Sequence, residues 1–367
     1  MIRLYRSFLW RLPITKVKTD QYLHLLNAEE IKYLRSRQNM SLVIAAIFSV
    51  IGFLLYYLPT YWFPHLFPFI DIPIPFTSIV FPFQLTAFLW GILLMIIEIY
   101  LLVLLNLYGT HEIAVATGFL DNHNKEVKTD EVLSIGLNTK NKNVMKYGID
   151  PFQGLSRWQL FLYNLFMQLK GWLSNTILRF LLQRLLGRFA IREILDFAGL
   201  PIYMFINGYS TYNVLREARV LIMGQNLIEA VCKRIRLEGE PNPVLNDLIY
   251  DTLQFIAISK RDYHQNHFLL TKNLVELFQI PIKGGHDLPE NYFDKMRNAN
   301  HEHRQICEVI LILGFLLDGA LSVRERAKIK ELNEANVMNE TFAEIRGYQK
   351  DFLNGVGIEK VMIKLDE

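Results

Sequence analysis

Two stretches of this chain carry almost no charge. Residues 41–63 hold no charged side chain, and residues 84–108 hold one, Glu98. At a rise of about 1.5 Å per residue, each is long enough as a helix to cross a hydrocarbon core of roughly 30 Å. The pattern therefore predicts a hairpin of two membrane-spanning helices over residues 41–109. The linking segment is apolar, but Pro64, Pro68, Pro73, Pro75 and Pro82 exclude regular helix from it. Two placements are open. It can lie along the outer interface with Tyr56, Tyr57, Tyr61 and Trp62 as belt residues, or re-enter the membrane, where its backbone groups need protein partners.

The remaining patterns are helical, so the expected fold is all-α. Within residues 1–40, Asn27 and Glu30 have the spacing of a capping box that opens a helix over 28–39. Residues 110–150 are polar and read as a juxtamembrane connector with a short helix near 129–137. Residues 151–237 form a basic amphipathic region in which Ser210 or Thr211 caps a helix over 212–233. The Pro- and Gly-bearing break 238–243 separates it from a helical domain over 244–367. Core-facing helices are expected there over 246–259, 267–279, 289–300, 301–317 and 323–335.

Charge adds orientation. Lys32, Arg35 and Arg37 precede the first span, Lys125 and Lys128 follow the second, and 64–83 contain no Lys or Arg. The positive-inside rule puts both termini in the cytoplasm. The N-terminal segment lacks the pattern of a signal peptide. Cys232 and Cys307 are too few and too far apart for a disulfide scaffold or a cysteine zinc cluster.

Two features bear on chemistry near the membrane. Glu98 falls near the middle of the second span, where an acid costs roughly 2.5–3.5 kcal/mol on insertion scales. It is either an ion or proton site, or a protonated acid bonded to a neighbouring helix or a second copy of the chain. Residues 151–192 contain six Arg and Lys and no Asp or Glu; Arg184, Arg188 and Arg192 repeat at i, i+4, i+8. That stripe, beside apolar and aromatic residues, suits a cytoplasmic membrane surface with cations against anionic lipid headgroups. A bundle helix with a solvated basic side is the other reading. The aliphatic content argues against nucleic acid as the partner.

The segment 196–224 has an apolar run, 197–206, that is too short to span and is broken at Pro201. Its order Gly199-x-Pro201, apolar run, Asn207-Gly208, then Arg216, Ala218 and Arg219 resembles the EcsC-type bacterial proteins. That resemblance implies a helical, membrane-associated protein. Further on, Asp318-Gly319-x-x-Ser322-x-x-Glu325 follows an apolar helix. Ser322 and Glu325 have capping-box spacing. The element also resembles the hallmark of TerB-like tellurite-resistance domains, and residues 249–280 repeat its plan about 57 residues earlier without the Asp-Gly pair. The resemblance implies metal binding at Asp318 and Glu325, with a divalent cation as the one cofactor it suggests. Two carboxylates are a thin site for a hard cation, and solvated helix ends are the plainer reading. His264 and His267 share a helix face but lack a zinc motif. His111 and Glu112 lack a third ligand.

No phosphate-binding loop, Walker motif or nucleophile elbow occurs. The expected role is a non-enzymatic adapter or envelope-stress sensor of the bacterial inner membrane, with a protein partner or a second copy of itself. The rival expectations are an oligomeric ion or solute pathway through Glu98, and a metal-dependent hydrolase using the C-terminal acids and histidines.

Overall fold

The computed structural model describes residues 2–14, 26–73, 80–137, 144–156, 158–161, 196–238, 242–261, 263–282, 286–358, 361 and 365. The fold is all-α, with one small two-stranded ribbon. Among the described residues the longest helices are α2 (Ala28–Trp62), α3 (Leu85–Ala116) and α5 (Asp196–Glu238). The chain divides into two compact units. One holds Met1–Leu12, Arg35–Thr110 and Leu169–Arg216; the other holds Pro13–Leu34, His111–Gln168 and Glu217–Glu367. The division falls inside all three long helices.

In the first unit, α1 (Ile2–Arg11) accompanies the two long apolar helices. Helix α2 opens on the expected box: Glu30 N–H donates to Asn27 Oδ1 at 2.9 Å, and Asn27 N–H donates to Glu30 Oε2 at 2.8 Å. It then runs unbroken to the end of the first expected span. Helix α3 continues past Tyr108 to Ala116, so His111 and Glu112 lie inside a helix and not in a connector. Both helices are long and apolar enough to cross a membrane. Val43, Ile47, Ile51 and Leu55 on α2, and Leu89, Leu93 and Ile97 on α3, point outward. Such faces suit lipid and are unusual against water.

The linking segment is more ordered than expected. A 3-10 turn at Pro64–Leu66 leads into antiparallel strands β1 (Ile70–Pro73) and β2 (Val80–Phe83), in register Ile70↔Phe83 and Pro73↔Val80. A two-stranded ribbon is all edge, so it tolerates proline where a central strand would not.

Proline shapes α2 as well. Pro59 has no N–H, which leaves the Leu55 carbonyl without its helical donor. Trp90 Nε1–H of α3 supplies the missing bond at 3.0 Å.

The second unit holds α4 (Lys125–Gly136), α6 (Pro243–Lys260), α7 (Gln265–Leu277), α8 (Tyr292–Asn298), α9 (His301–Leu316), α10 (Val323–Glu334) and α11 (Phe342–Asn354). Every residue from 306 to 316 of α9 is buried, so this helix has no polar face and must be central. Helix α6 approaches it so closely that a Cβ on Gly314 would come within 2.6 Å of Ile256. Residues 144–153 dock on α6: Tyr250 OH donates to Tyr147 O at 2.6 Å, and Gln254 Nε2 donates to Asp150 O at 2.9 Å.

Two further sequence expectations differ from the fold. Helix α5 runs through Ser210 and Thr211, so neither caps a new helix, and Gly208 has open space where a Cβ would stand. Helix α11 was not expected, although Thr341 and Glu344 form a capping box and Gly355 closes it at φ 76°. The stripe Arg184, Arg188 and Arg192 lies outside the described residues.

The Trp90 bond generates a double-mutant test. In the full chain, Trp90→Phe should cost about 1–3 kcal/mol, the penalty of an unsatisfied carbonyl. In a Pro59→Ala background, where residue 59 regains its N–H, the same change should cost markedly less. Equal losses in melting stability in both backgrounds would refute the link.

Candidate functional site

Each unit has one polar cluster that the sequence flagged. In the first, Glu98 is buried, and Asn207 Nδ2 of α5 donates to its Oε1 at 2.7 Å. The same amide lies 2.6 Å from Ser49 Oγ of α2, which in turn donates to the Tyr203 carbonyl at 3.2 Å. Asn207 is fully buried, and Ile206 beside it packs on Ala45, Leu102 and Leu105. Interhelical bonds of this kind contribute about 1–2 kcal/mol in model peptides, so they offset only part of the insertion cost of the acid. The amide donor engages one of the two carboxylate oxygens. Glu98 here ties three helices together.

The second cluster brings the two acids flagged as metal ligands to a common centre. What they hold is Lys260, the last residue of α6. Its Nζ donates to Asp318 Oδ1 at 2.9 Å, to Phe315 O at 3.2 Å and to Ala320 O at 3.4 Å, and it is ion-paired with Glu325 Oε1. The Lys260 side chain is 2% exposed and that of Glu325 is 4% exposed. The Lys260 and Glu325 side chains are therefore buried, while Asp318 keeps 18% of its side chain exposed and Ser322 stands in solvent. Carboxylate and carbonyl oxygens around one cation are the donors a hard metal ion selects, and the cation they surround is the chain's own ammonium. Asp318 and Glu325 do not fit a divalent ion while Lys260 stands between them. No group of three or more His, Cys, Asp or Glu among the described residues is placed to hold one.

Local rules explain why these residues meet. Glu325 Oε2 accepts from Ser322 N–H at 2.7 Å and Ser322 Oγ accepts from Glu325 N–H at 3.3 Å, so the capping reading holds and leaves Oε1 for the lysine. Asp318 also accepts from Ala320 N–H at 3.1 Å. Gly319 turns the chain at φ 65°, where a side chain would be strained and would press on Val220. Lys260 ends α6, where an ammonium complements the carbonyl end of the helix. Lys260 was not among the residues the sequence singled out. Its signal was a lysine about 57 residues before the Asp318 element, at the matching helix end of the repeated plan.

His264 and His267 are cap residues of α7. His264 Nδ1 accepts from Asn266 N–H at 3.2 Å, and its Nε2 bonds Glu217 Oε1 at 3.0 Å. His267 Nδ1 accepts from His264 N–H at 3.3 Å, so its Nε2 carries the hydrogen and donates to Gly314 O at 2.8 Å. That tautomer is neutral. Burial, and then the Lys260 ammonium, lower the imidazole to about 3.

A further set, with Asp251 and His286 buried and Lys295 exposed, was not foreseen. Asp251 pairs with His286 at 2.7 Å and Lys295 at 2.8 Å, while His286 stacks on Tyr250 with ring centroids 4.1 Å apart. Burial pushes the Cys232 and Cys307 thiols up to about 12, so neither supplies a thiolate near neutral pH. His111 is buried, and Glu112 accepts the Tyr33 hydroxyl. Comparison with protein-family models, curated proteins and solved structures gives no match.

Two outcomes follow from the lysine. Lys260→Met, which strands two acids, should destabilise the full chain by about 3–5 kcal/mol, whereas Ser322→Ala should cost about 1 kcal/mol. Calcium, magnesium, manganese or zinc should leave the wild-type melt where chelator leaves it. A metal-dependent rise of several degrees that disappears in Asp318→Asn would restore the metal site.

The pH dependence has a definite sign. The unfolded His267 imidazole binds a proton near 6.5 and the folded one only near 3, so the unfolded state holds more protons in between. Stability should fall as pH drops from about 6.5 toward 3, by about 2 kcal/mol at pH 5 from this residue. Replacing His267 with Gln should flatten the thermal-melt profile over that window; an unchanged slope would remove His267 as its source.

Proposed function

We propose that this chain is a non-enzymatic membrane adapter, a helical domain carried on a membrane hairpin and acting through a protein partner, in the manner of an envelope-stress sensor. The observation that supports it best is Lys260. The acids that a metal-dependent hydrolase would need are engaged by an internal ammonium, and the neighbouring histidines are engaged as helix caps. Chemistry drawn from the domain's core groups is thereby disfavoured, and its outer surface is left as the working part. The hairpin orientation follows from Lys32, Arg35, Arg37, Lys125 and Lys128, with both termini in the cytoplasm of a bacterial inner membrane.

The test uses the full chain in native membranes, with a photo-crosslinking residue at Val323 or Val356, both exposed. The expected result is an adduct of discrete mass that is lost when the neighbouring surface is made acidic. Purified protein that turns over a phosphoester with stoichiometric metal, or Glu98-dependent flux in vesicles, would overturn the reading. For orientation, an impermeant thiol reagent on intact cells should label His65→Cys and spare Lys128→Cys; the reverse pattern inverts the hairpin.

A further inference from the structure

We infer that residues 197–215 of α5 form a further membrane span, parallel to α3, so that the chain crosses back between α3 and α5. Measured by apolarity, the run stops at Asn207-Gly208, and among the described residues α2 and α3 alone are apolar enough to count as spans. Measured by charge it is longer: between Asp196 and Arg216 no side chain is charged. As helix those 19 residues extend about 28 Å.

Two contacts set the register of α5 on α3. Asn207 bonds Glu98, and Leu215 lies on Gly109, where an added Cβ would come within 2.5 Å of Leu215 Cδ2. Moving toward the C-terminus on one helix thus moves toward the C-terminus on the other, so the two run in the same direction. Asn207 stands level with the middle of the span. From that level Leu85 is 13 residues back along α3 and Asp196 is 11 residues back along α5. At about 1.5 Å per residue both helices begin within a few ångströms of the same depth.

The two faces of α5 agree with this placement. Asn207, Thr211 and Leu215, at i, i+4, i+8, are buried. Phe205, Tyr209 and Tyr212 are 71%, 51% and 50% exposed, and the rings of Phe205 and Tyr209 stack at 5.9 Å. This exposed aromatic face has the character of the outward apolar surfaces of α2 and α3, and its occupant is lipid acyl chain. The polar residues that depress its hydropathy are in part the ones turned inward, where Asn207 meets Ser49 and Glu98. A helix this polar becomes a span because its polar side is covered.

The inference rests on the hairpin of the preceding section, but not on which side the termini take. It is tested on the full chain in phosphatidylethanolamine–phosphatidylglycerol nanodiscs, with spin labels at Phe205→Cys and Tyr212→Cys and at Ile47→Cys as the hairpin reference. Labels at 205 and 212 should be relaxed by oxygen more than by a water-soluble nickel chelate, as at Ile47. Greater relaxation by nickel would overturn the inference, and so would spin–spin broadening, which would show a second copy covering the face. In sided vesicles, Asp196→Cys should react with an impermeant reagent from the same side as His65→Cys, whichever side that is. Reaction from the opposite side, or none before permeabilisation, would overturn the span. Failure of the His65→Cys and Ile47→Cys references would fall on the hairpin.

Discussion

Inside hydrocarbon there is no water to complete a hydrogen bond, so every polar group carried there has to find its partner within the protein. In the first unit, where α2 and α3 are long and apolar enough to cross a membrane, the polar groups do find partners of this kind. Pro59 leaves the Leu55 carbonyl open, and the indole of Trp90 closes it from the neighbouring helix. Glu98 brings an acid to the middle of an apolar helix, and the amide of Asn207 meets it while also reaching Ser49. In each case a residue that is costly on its own helix becomes the point where helices are joined. Leu and Ile against acyl chains cannot fix register, because lipid is as apolar as they are. The polar contacts can.

The second unit obeys the same constraint in a protein core. Lys260, Asp318 and Glu325 would each be costly to bury alone, and together they satisfy one another and two backbone carbonyls. The arrangement has the chemistry of a cation site with the cation built in. It also accounts for the neutral His267 next to it, since a second positive charge beside a buried ammonium is disfavoured twice, by desolvation and by repulsion. Removing the lysine and supplying a metal are therefore different experiments on one set of oxygens.

Much of this was legible in the residues. The two uncharged stretches gave the long helices, and Asn27 with Glu30 and Ser322 with Glu325 gave two helix starts whose bonds are in place. Those signals are local: side-chain spacing and backbone geometry within one turn determine them. Helix α11 was equally local in its Thr341–Glu344 box and was overlooked because its apolar positions are sparse. The start of α5 was misread for the opposite reason. Asn207, Gly208, Ser210 and Thr211 look like a break when taken singly, yet the helix passes through them because Asn207 and Thr211 are covered by neighbours.

The sequence by itself determined that the chain is helical, where two of its helices are apolar enough for a membrane, and which acids and histidines deserved suspicion. Hydrophobic period, charge distribution and capping chemistry are properties of short windows, so they can be read without a fold. Only the tertiary structure decided what those suspected groups do. Lys260 lies 58 residues from Asp318 and Asn207 lies 109 from Glu98. Whether an acid faces a metal, a lysine or an amide depends on which helix the fold sets beside it, and no window of sequence contains both partners.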